Sequence, residues 1–164
     1  MSPRGSLVAV CIGRAGELWK TPVDEVTVGE FGLAGDRHAG PTRTSSRRPG
    51  EILPNDRQVS VLAHEVLESV NAELGIALEA GQFGENVLVR GLGDLSDVEP
   101  GAQLRIGGVV LRVTAQNDPC SNLMEYHRGL VKAAYKRRGL LATVVSGSGQ
   151  RLRAGDPVEL LAAT

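Results

Sequence analysis

The sequence lacks several features that would place it in a specialised class of protein. None of its apolar runs approaches the roughly 18 residues of a membrane span, and its start lacks the pattern of a signal peptide. Aromatic residues make up only 3% and the formal net charge is −1, so neither stacking platforms nor a strong positive field favours nucleic acid. Two cysteines are too few for a disulfide scaffold. We therefore expect a soluble, cytoplasmic protein that binds neither nucleic acid nor membranes.

Arginine and glycine are abundant instead. Glycine occurs 21 times, which favours many tight turns over long helices. Among the 18 basic residues, lysine occurs only at positions 20, 132 and 136, and the rest are arginine. Arginine recognises phosphate and carboxylate groups through two parallel hydrogen bonds. A coding bias toward arginine explains the same composition equally well, so position has to decide between the two explanations.

Short apolar and alternating runs predict a series of strands, which are typical of a small barrel. The strands are expected at 7–12, 23–28, 58–62, 86–90, 103–106, 109–114, 140–145 and 157–161. Apolar residues at helical spacing predict a helix over 63–74 that ends at Gly75, and a second over 122–137 with Gly129 as a candidate break. The fold class is therefore mainly β, a barrel with a few short helices, in one domain spanning residues 1–164.

One segment, 36–57, has no periodic pattern although it carries five arginines and three prolines. A loop of this length inside a small domain is usually functional or disordered. We expect residues 43–48 to be solvated and partly disordered. Arg37, His38 and Arg57 flank the loop where it meets predicted strands, so they are better placed to line a fixed site.

The two cysteines stand in different surroundings. Cys120 follows Pro119, and Asn122 with Glu125 resembles a capping box, so a helix is expected to begin just after the thiol. The positive end of that helix dipole favours thiolate, the form that binds soft metals and attacks sulfur. Cys11 lies in an apolar strand and is most simply a small buried hydrophobe. We expect Cys120 to be the more reactive thiol.

Other kinds of site receive little support. The three histidines show no zinc-ligand spacing with each other or with Cys120, and His64 is best explained as an ordinary residue at a helix start. No nucleophile elbow is present. The glycines of residues 32–40 lack the strand-to-helix context of a dinucleotide fingerprint.

Six short motifs, in this order, together resemble the MOSC domain, which is the C-terminal domain of molybdenum cofactor sulfurases and occurs alone in bacterial relatives. They are Gly-Leu-Ala-Gly-Asp-Arg-His (32–38), Arg-Gln-Val-Ser-Val-Leu (57–62), Gly-Gln-Phe-Gly-Glu-Asn (81–86), Pro-Cys (119–120), Gly-Leu-Leu-Ala-Thr-Val (139–144) and Gly-Asp-Pro-Val (155–158). The resemblance spans nearly the whole chain, which makes it specific although each motif alone is weak.

The resemblance implies a β-barrel that binds the molybdenum cofactor (molybdopterin). Cys120 matches the family cysteine that ligates molybdenum or handles the cofactor's sulfur, so it is the candidate catalytic and metal-binding residue. The candidate cofactor-binding residues are Arg37, His38, Arg57, Asn86, Asn117 and Asn122. We expect Arg37, Arg57, Asn86 and Cys120 to converge on one electropositive pocket. The alternative is that Arg37 and Arg57 form surface ion pairs with Asp36, Asp56 or Glu85.

Departures from the family narrow the function. The chain is too short to include the pyridoxal-phosphate domain of the sulfurases, and no lysine is expected in the site, so pyridoxal phosphate is not expected as a cofactor. The extra N-terminal barrel domain of amidoxime-reducing relatives and the iron–sulfur module of some bacterial relatives are also absent. Residues Ser121 and Asn122 replace the larger or basic residue that many relatives have after the cysteine.

Three functions remain open at this point. The first is a reductase of N-hydroxylated small molecules that receives electrons from a separate protein. The second is a carrier in which Cys120 holds sulfur or cofactor, received from a sulfur-donor protein, for delivery to a partner. The third is a barrel that binds a small anion without chemistry.

Overall fold

Seven strands close into a barrel in the computed structural model, which describes residues 2–118, 123 and 127–163. In chain order they are β1 (Arg4–Ile12), β7 (Val59–Ala63), β8 (Val87–Arg90), β9 (Gln103–Ile106), β10 (Val109–Gln116), β11 (Leu140–Ser146) and β13 (Pro157–Leu161). Around the barrel the order is β1, β8, β7, β11, β10, β9 and β13, and β13 pairs again with β1. Only β7 and β8 pair in parallel in this ring, because helix α1 (His64–Leu74) joins them as a crossover.

Smaller strands lie outside the ring. Strand β2 (Thr21–Val23) pairs with the end of β1. A separate three-stranded sheet consists of β3 (Glu25–Gly29), β4 (Gly32–Leu33) and β12 (Arg151–Arg153). Strands β5 (Thr42–Thr44) and β6 (Ile52–Pro54) form a hairpin. The short helix α2 (Leu130–Ala133) precedes β11.

The core fills the barrel and the space beneath α1. Leu104, Ile106 and Leu111 are completely buried at alternate positions of β9 and β10, as expected for strands with one face inside a barrel. All five residues of β7 are buried, because this strand has the barrel interior on one face and other structure on the opposite face. Val66, Leu67 and Val70 form the buried side of α1.

The first predicted helix agrees closely with the structure. It spans His64–Leu74, and Gly75 ends it in a left-handed conformation with a φ of 65°. The backbone N–H of Gly75 donates to the Asn71 carbonyl. His64 begins the helix, and its Nδ1 lies 2.7 Å from Glu68 Oε1 one turn later. The histidine is therefore a local helix residue, as its sequence position indicated.

The second predicted helix, over 122–137, is wrong as a continuous element. Residues 127–129 form a turn, and regular helix is confined to Leu130–Ala133 within the described part of the segment. Lys136 adopts a left-handed φ of 62°, which stops the helix before the predicted end. The helical periodicity of the sequence reflects burial of Leu130, Ala133 and Ala134 and not a long helix.

The loop expected between 36 and 57 also contains structure that periodicity did not indicate. Its middle forms the β5–β6 hairpin, in which Arg43 lies opposite Leu53. Strands of two or three residues are too short to show alternation, which explains why β4 and β12 were missed as well. No helix within the described residues is long and apolar enough to cross a membrane.

Candidate functional site

A cavity of about 870 Å³ opens where the β5–β6 hairpin, the start of β7, the 81–84 turn and the end of β10 meet. Its volume lies within the range of about 300–1,000 Å³ that is typical of small-molecule and cofactor sites. Its lining residues are Gly16, Glu17, Leu18, Arg37, His38, Ala39, Thr42, Arg43, Thr44, Asn55, Arg57, Ser60, Gln82, Phe83, Gly84, Asn117, Asp118, Leu123, Arg138 and Leu141.

Within the described part of the chain, four of the six predicted cofactor-binding residues line this cavity. Arg37, His38, Arg57 and Asn117 come together there although 80 positions separate the first from the last. Asn86 does not line the cavity. Cys120 and Asn122, together with the helix start expected beside them, lie outside the described residues, but Asn117 and Asp118 carry the lining to within two positions of Cys120 in the chain.

Arginine dominates the charge of the lining. The lining includes four arginines, Arg37, Arg43, Arg57 and Arg138, and two acidic residues, Glu17 and Asp118. The cavity is therefore suited to an anion, and guanidinium groups match phosphate and carboxylate geometry in particular.

Arg37 contains a buried side-chain nitrogen that makes no hydrogen bond to the described residues. Its backbone N–H donates to the Gly13 carbonyl at 2.7 Å, which fixes the start of the side chain. Its Nη1 is buried and has no hydrogen-bond partner among the described residues, nor does Arg37 form an ion pair there with Asp36 or Glu85. The Nη1 atom lies on the interior side, against Gly13, since a Cβ built at Gly13 would be 2.2 Å from it. A buried donor without a partner on a charged group is costly to the folded state.

Arg57 and Arg43 share one carboxylate at the edge of the cavity. Arg43 Nε donates to Asp56 Oδ1 at 2.8 Å, whereas Arg57 Nε is 4.0 Å from the same oxygen. Burial is the largest single effect on Asp56 and raises its pKa, but the hydrogen bond from Arg43 and the charges of Arg43 and Arg57 together hold the pKa below its usual value. Arg43 is thus a fixed residue of the lining, in contrast to the solvated loop expected for 43–48. The alternative of surface ion pairs is seen for Arg57 with Asp56, at the long distance of 4.0 Å.

Arg138 was not recognised from the sequence. Its Nη1 donates to the Asp118 carbonyl at 2.8 Å and its Nη2 to the Phe83 carbonyl at 3.2 Å, while its Nε is buried without a partner among the described residues. The side chain therefore joins the 81–84 turn to the residue that precedes Pro119 and Cys120. It follows directly after Arg137, whose pairing with Glu73 is an ordinary surface contact, and sequence alone does not distinguish the two.

Beneath His38 lies a buried ion pair. The side chains of Lys20 and Asp36 are both fully buried, and Lys20 Nζ is 3.1 Å from Asp36 Oδ2 and 2.8 Å from His38 Nδ1. Asp36 also accepts hydrogen bonds from the backbone N–H groups of Gly13 and His38. Lys20 is not among the lining residues, but it contacts the lining residue His38 from the interior side, so a buried lysine that the sequence did not indicate adjoins the site.

Burial and charge shift the pKa values of this group. Burial lowers the pKa of Lys20 to about 8, an effect that the charge of Asp36 partly offsets. The Lys20 charge and the backbone donors outweigh the burial of Asp36 and hold the pKa of its carboxyl below the usual value. Desolvation, followed by the Lys20 charge, lowers the pKa of His38 to about 4. At neutral pH the group consists of a carboxylate, an ammonium and an uncharged imidazole.

Asn86 has a structural role that removes it from the candidate ligands. Its side chain is completely buried, its Oδ1 accepts from the Ser60 N–H at 3.0 Å, and its Nδ2 donates to the Cys11 carbonyl at 3.1 Å. It therefore links β7 to β1 at the point where β8 enters the barrel. A buried amide fits the motif of residues 81–86 as well as a ligand-binding amide does, so the sequence could not separate the two roles.

Glu85 is a second buried acid near Lys20. Its Oε2 accepts from the Gly81 N–H at 2.8 Å, and its Oε1 is buried with no partner among the described residues. Burial raises the pKa of Glu85 to about 7. Cys11 is completely buried nearby, and burial followed by the charge of Glu85 raises its pKa to about 12. Cys11 is a free thiol held in its protonated, unreactive form.

Replacing Glu85 with glutamine is expected to change how stability depends on pH. Because the folded-state pKa is raised, the contribution of Glu85 is complete below its unfolded pKa of about 4.5 and is lost as pH rises through about 7. That loss is on the order of 3 kcal/mol. The stability advantage of the wild type over E85Q should shrink by about this amount between about pH 4 and about pH 7.5, measured by urea unfolding. The lowered pKa of His38 acts in the opposite direction in both proteins and cancels in the comparison. An advantage independent of pH would contradict this account.

Gly81 holds the backbone beneath the site. Its φ is +89°, and a Cβ at this position would lie 2.0 Å from the Lys20 carbonyl oxygen. The close approach allows the Lys20 N–H to donate to the Gly81 carbonyl at 2.9 Å. The turn of residues 81–84 is therefore attached directly to the segment that carries the buried lysine.

Replacing Gly81 with alanine is expected to lower the free energy of unfolding by about 3 kcal/mol, because left-handed strain and overpacking add. Gly16 provides the matched control, since its φ is +88° and a Cβ there would meet nothing within 4 Å. Gly16→Ala should cost only about 1 kcal/mol. Equal losses in chemical denaturation would show that the contact with Lys20 does not constrain the turn.

Comparison with known proteins agrees with this geometry. The family model for the MOSC domain matches residues 34–159, about three quarters of the chain. The chain belongs to the MOSC domain family. MOSC domains are generally associated with the molybdenum cofactor. The match includes Arg37, His38, Arg57 and Arg138, but Lys20 lies before it.

Solved structures show the same MOSC fold. YuaD from Bacillus subtilis superposes with a TM-score of 0.86 at 23% identity, with all of both chains covered. YiiM from Geobacillus stearothermophilus gives a TM-score of 0.72 at 23% identity over 97% of this chain and 75% of its own. YiiM from Escherichia coli gives 0.64 at 24% identity over 99% and 70%. At these identities the likeness establishes the fold alone. No protein of curated function matches the sequence significantly.

Within the described residues, no three histidine, cysteine, aspartate or glutamate side chains are grouped as metal ligands. The predicted ligand, Cys120, stays a prediction. The described part of the MOSC domain provides an arginine-lined cavity whose lining includes Asn117 and Asp118, which precede Cys120 in the sequence by three and two positions.

Proposed function

We propose that this MOSC protein binds the molybdenum cofactor in the arginine-lined cavity, with the cofactor's phosphate at Arg37 and Arg57 and its metal at Cys120. The observation that carries the proposal is the lining of the cavity, in which four arginines outnumber two acidic residues. A phosphate group would offer the acceptors that guanidinium groups match in geometry. The residues present therefore fit the anionic end of the cofactor.

The chain's own residues would bind and orient the cofactor. Phe83 would provide an apolar surface, and Gly84, which has no side chain, would let a ligand approach the backbone closely. Asn117, three positions before Cys120, would provide an amide donor or acceptor. Arg138 joins the Asp118 carbonyl to the 81–84 turn through two hydrogen bonds. Such anchoring on rigid turns is what a reactive centre requires from its surroundings.

We further propose that the bound protein reduces N-hydroxylated small molecules with electrons from a separate protein. Reduction of an N–OH group consumes two electrons and two protons, breaks the N–O bond and releases water. The cofactor, when bound, would supply the two-electron redox chemistry at molybdenum. The four arginines and the uncharged His38 would favour substrates that present oxygen acceptors at the cavity.

The second candidate function is a carrier of sulfur or cofactor. The arginine-lined cavity would equally hold a cofactor that is only stored and delivered, because anion binding by arginine does not depend on a redox reaction. We expect a separate protein partner for both candidates, an electron donor in one case and a sulfur donor in the other. Neither requires pyridoxal phosphate, and Lys20 Nζ is engaged by Asp36 and His38.

One experiment separates the two functions. The protein is purified without oxygen from a host that makes the cofactor, and is assayed for reduction of an amidoxime by a chemically reduced viologen dye. In parallel, the mass of the Cys120 peptide is measured. Turnover that disappears in Cys120→Ser supports the reductase, and a stable extra sulfur on Cys120 without turnover supports the carrier. A protein with neither property would contradict both.

A further inference from the structure

The contact between Lys20 and His38 has a consequence for the proton of the imidazole ring. A lysine ammonium has three donors and no acceptor. Because Lys20 Nζ lies 2.8 Å from His38 Nδ1, a charged Lys20 makes a hydrogen bond only if Nδ1 accepts. A proton on Nδ1 would instead place two N–H groups against each other.

The charge on Lys20 is fixed by Asp36. Both side chains are fully buried and 3.1 Å apart, and the carboxylate receives two backbone N–H donors as well. Moving the proton from Lys20 to His38 would leave the pair unbalanced within the interior, where an unpaired charge is costly. The ammonium form of Lys20 is therefore the one that the surrounding atoms stabilise.

We propose that Lys20 is a positioning residue that holds His38 as the neutral tautomer with its proton on Nε2, and so directs a fixed N–H donor into the cavity. His38 lines the cavity and its side chain is 48% exposed, whereas its Nδ1 edge points to a buried residue. The Nε2 edge, on the other side of the ring, is the one left to face a ligand. The acceptor that fits this donor beside Arg37 is an anionic oxygen, such as one from a phosphate.

The other charged groups near the ring act together with Lys20. The charges of Arg37 and Arg138 also disfavour a positive charge on His38, whereas the charge of Asp36 favours it. Burial is the largest effect, and together these effects lower the pKa of His38 to about 4. His38 thus serves as a hydrogen-bond donor that keeps one protonation state across neutral pH, in contrast to the usual behaviour of histidine as a switch.

Nuclear magnetic resonance of the ¹⁵N-labelled wild-type protein without cofactor tests the tautomer directly. Between about pH 5 and about pH 7, above the pKa of His38 and below that of Lys20, long-range nitrogen–proton spectra should show an unprotonated Nδ1 and a protonated Nε2. In Lys20→Met the ring should titrate closer to its ordinary value of 6.5. A wild-type ring that is protonated on Nδ1, or that titrates near 6.5, would overturn the proposal even if the variant fails to fold.

The role of the Nε2 donor rests on the proposed function and has its own test. The amide nitrogen of glutamine reaches about as far along the side chain as Nε2, whereas that of asparagine reaches only as far as Nδ1. His38→Gln should therefore retain several-fold more molybdenum and pterin than His38→Asn after the same purification. Equal retention by the two variants would refute the role of Nε2. If the wild type itself retains neither, the proposed function fails while the spectra still decide the tautomer.

Discussion

Replacing Lys20 with methionine is expected to lower the free energy of unfolding by about 4 kcal/mol, because it leaves the buried carboxylate of Asp36 without its partner. Both side chains are fully enclosed, and Lys20 Nζ is the side-chain cation in hydrogen-bond contact with Asp36 Oδ2. Methionine has a similar length and fills the space of the lysine chain. The loss therefore reports the uncompensated charge more than a cavity, and urea unfolding at neutral pH measures it.

The double variant Lys20→Met with Asp36→Asn is the control for this interpretation. Removing the carboxylate charge should restore part of the stability lost in Lys20→Met, since an asparagine is uncharged and its single oxygen can still accept one of the two backbone hydrogen bonds, from Gly13 or from His38. If the double variant is less stable than Lys20→Met alone, the pair does not act as a buried ion pair. A loss below about 1 kcal/mol in Lys20→Met would have the same meaning.

Replacing Arg37 with methionine is expected to weaken cofactor binding by roughly tenfold to a hundredfold, because a hydrogen bond to a charged group contributes about 1.5–3 kcal/mol. The substitution removes one of the four arginines of the lining, and it also removes the buried Nη1 that has no partner among the described residues. The folded protein should be as stable as the wild type or slightly more stable. Retention of molybdenum and pterin, and thermal unfolding of the empty protein, measure the two effects.

Arg47 provides the matched control on the same segment of chain. It is exposed, does not line the cavity, and its backbone N–H donates to Ser45 Oγ without involving the side chain. Arg47→Met should bind the cofactor like the wild type. Equal losses in the two variants would show that general positive charge, and not the position of Arg37, accounts for binding.

The sequence predicted the barrel because its main strands are long enough to show apolar patterns. Strands β1, β7, β10 and β11 each contain at least five residues, whereas β4 has two and β12 has three. The helix predicted over 122–137 was wrong for a different reason, since helical spacing of buried residues also occurs in a series of turns. Periodicity reports which residues are buried, and it identifies the element only when the run is long.

The candidate site was predictable where a residue's motif position and its chemistry agree. Arg37 and Arg57 flank a loop, and both line the cavity. Asn86 lies in an equally suggestive motif, yet its amide links two strands, a role that depends on Ser60 and Cys11 far away in sequence. Lys20 and Arg138 were missed because their positions in the site arise from tertiary contacts, with Asp36 in one case and with Phe83 and Asp118 in the other.

The molybdenum and pterin content of the wild-type protein, after anaerobic incubation with released cofactor and removal of the excess, tests the central claim most directly. We predict close to one molybdenum and one pterin per chain in the wild type, and a lower content of both in Arg37→Met. Cys120→Ser should lose the metal while its stability changes by less than about 1 kcal/mol. Wild-type content no higher than that of the two variants would contradict the account.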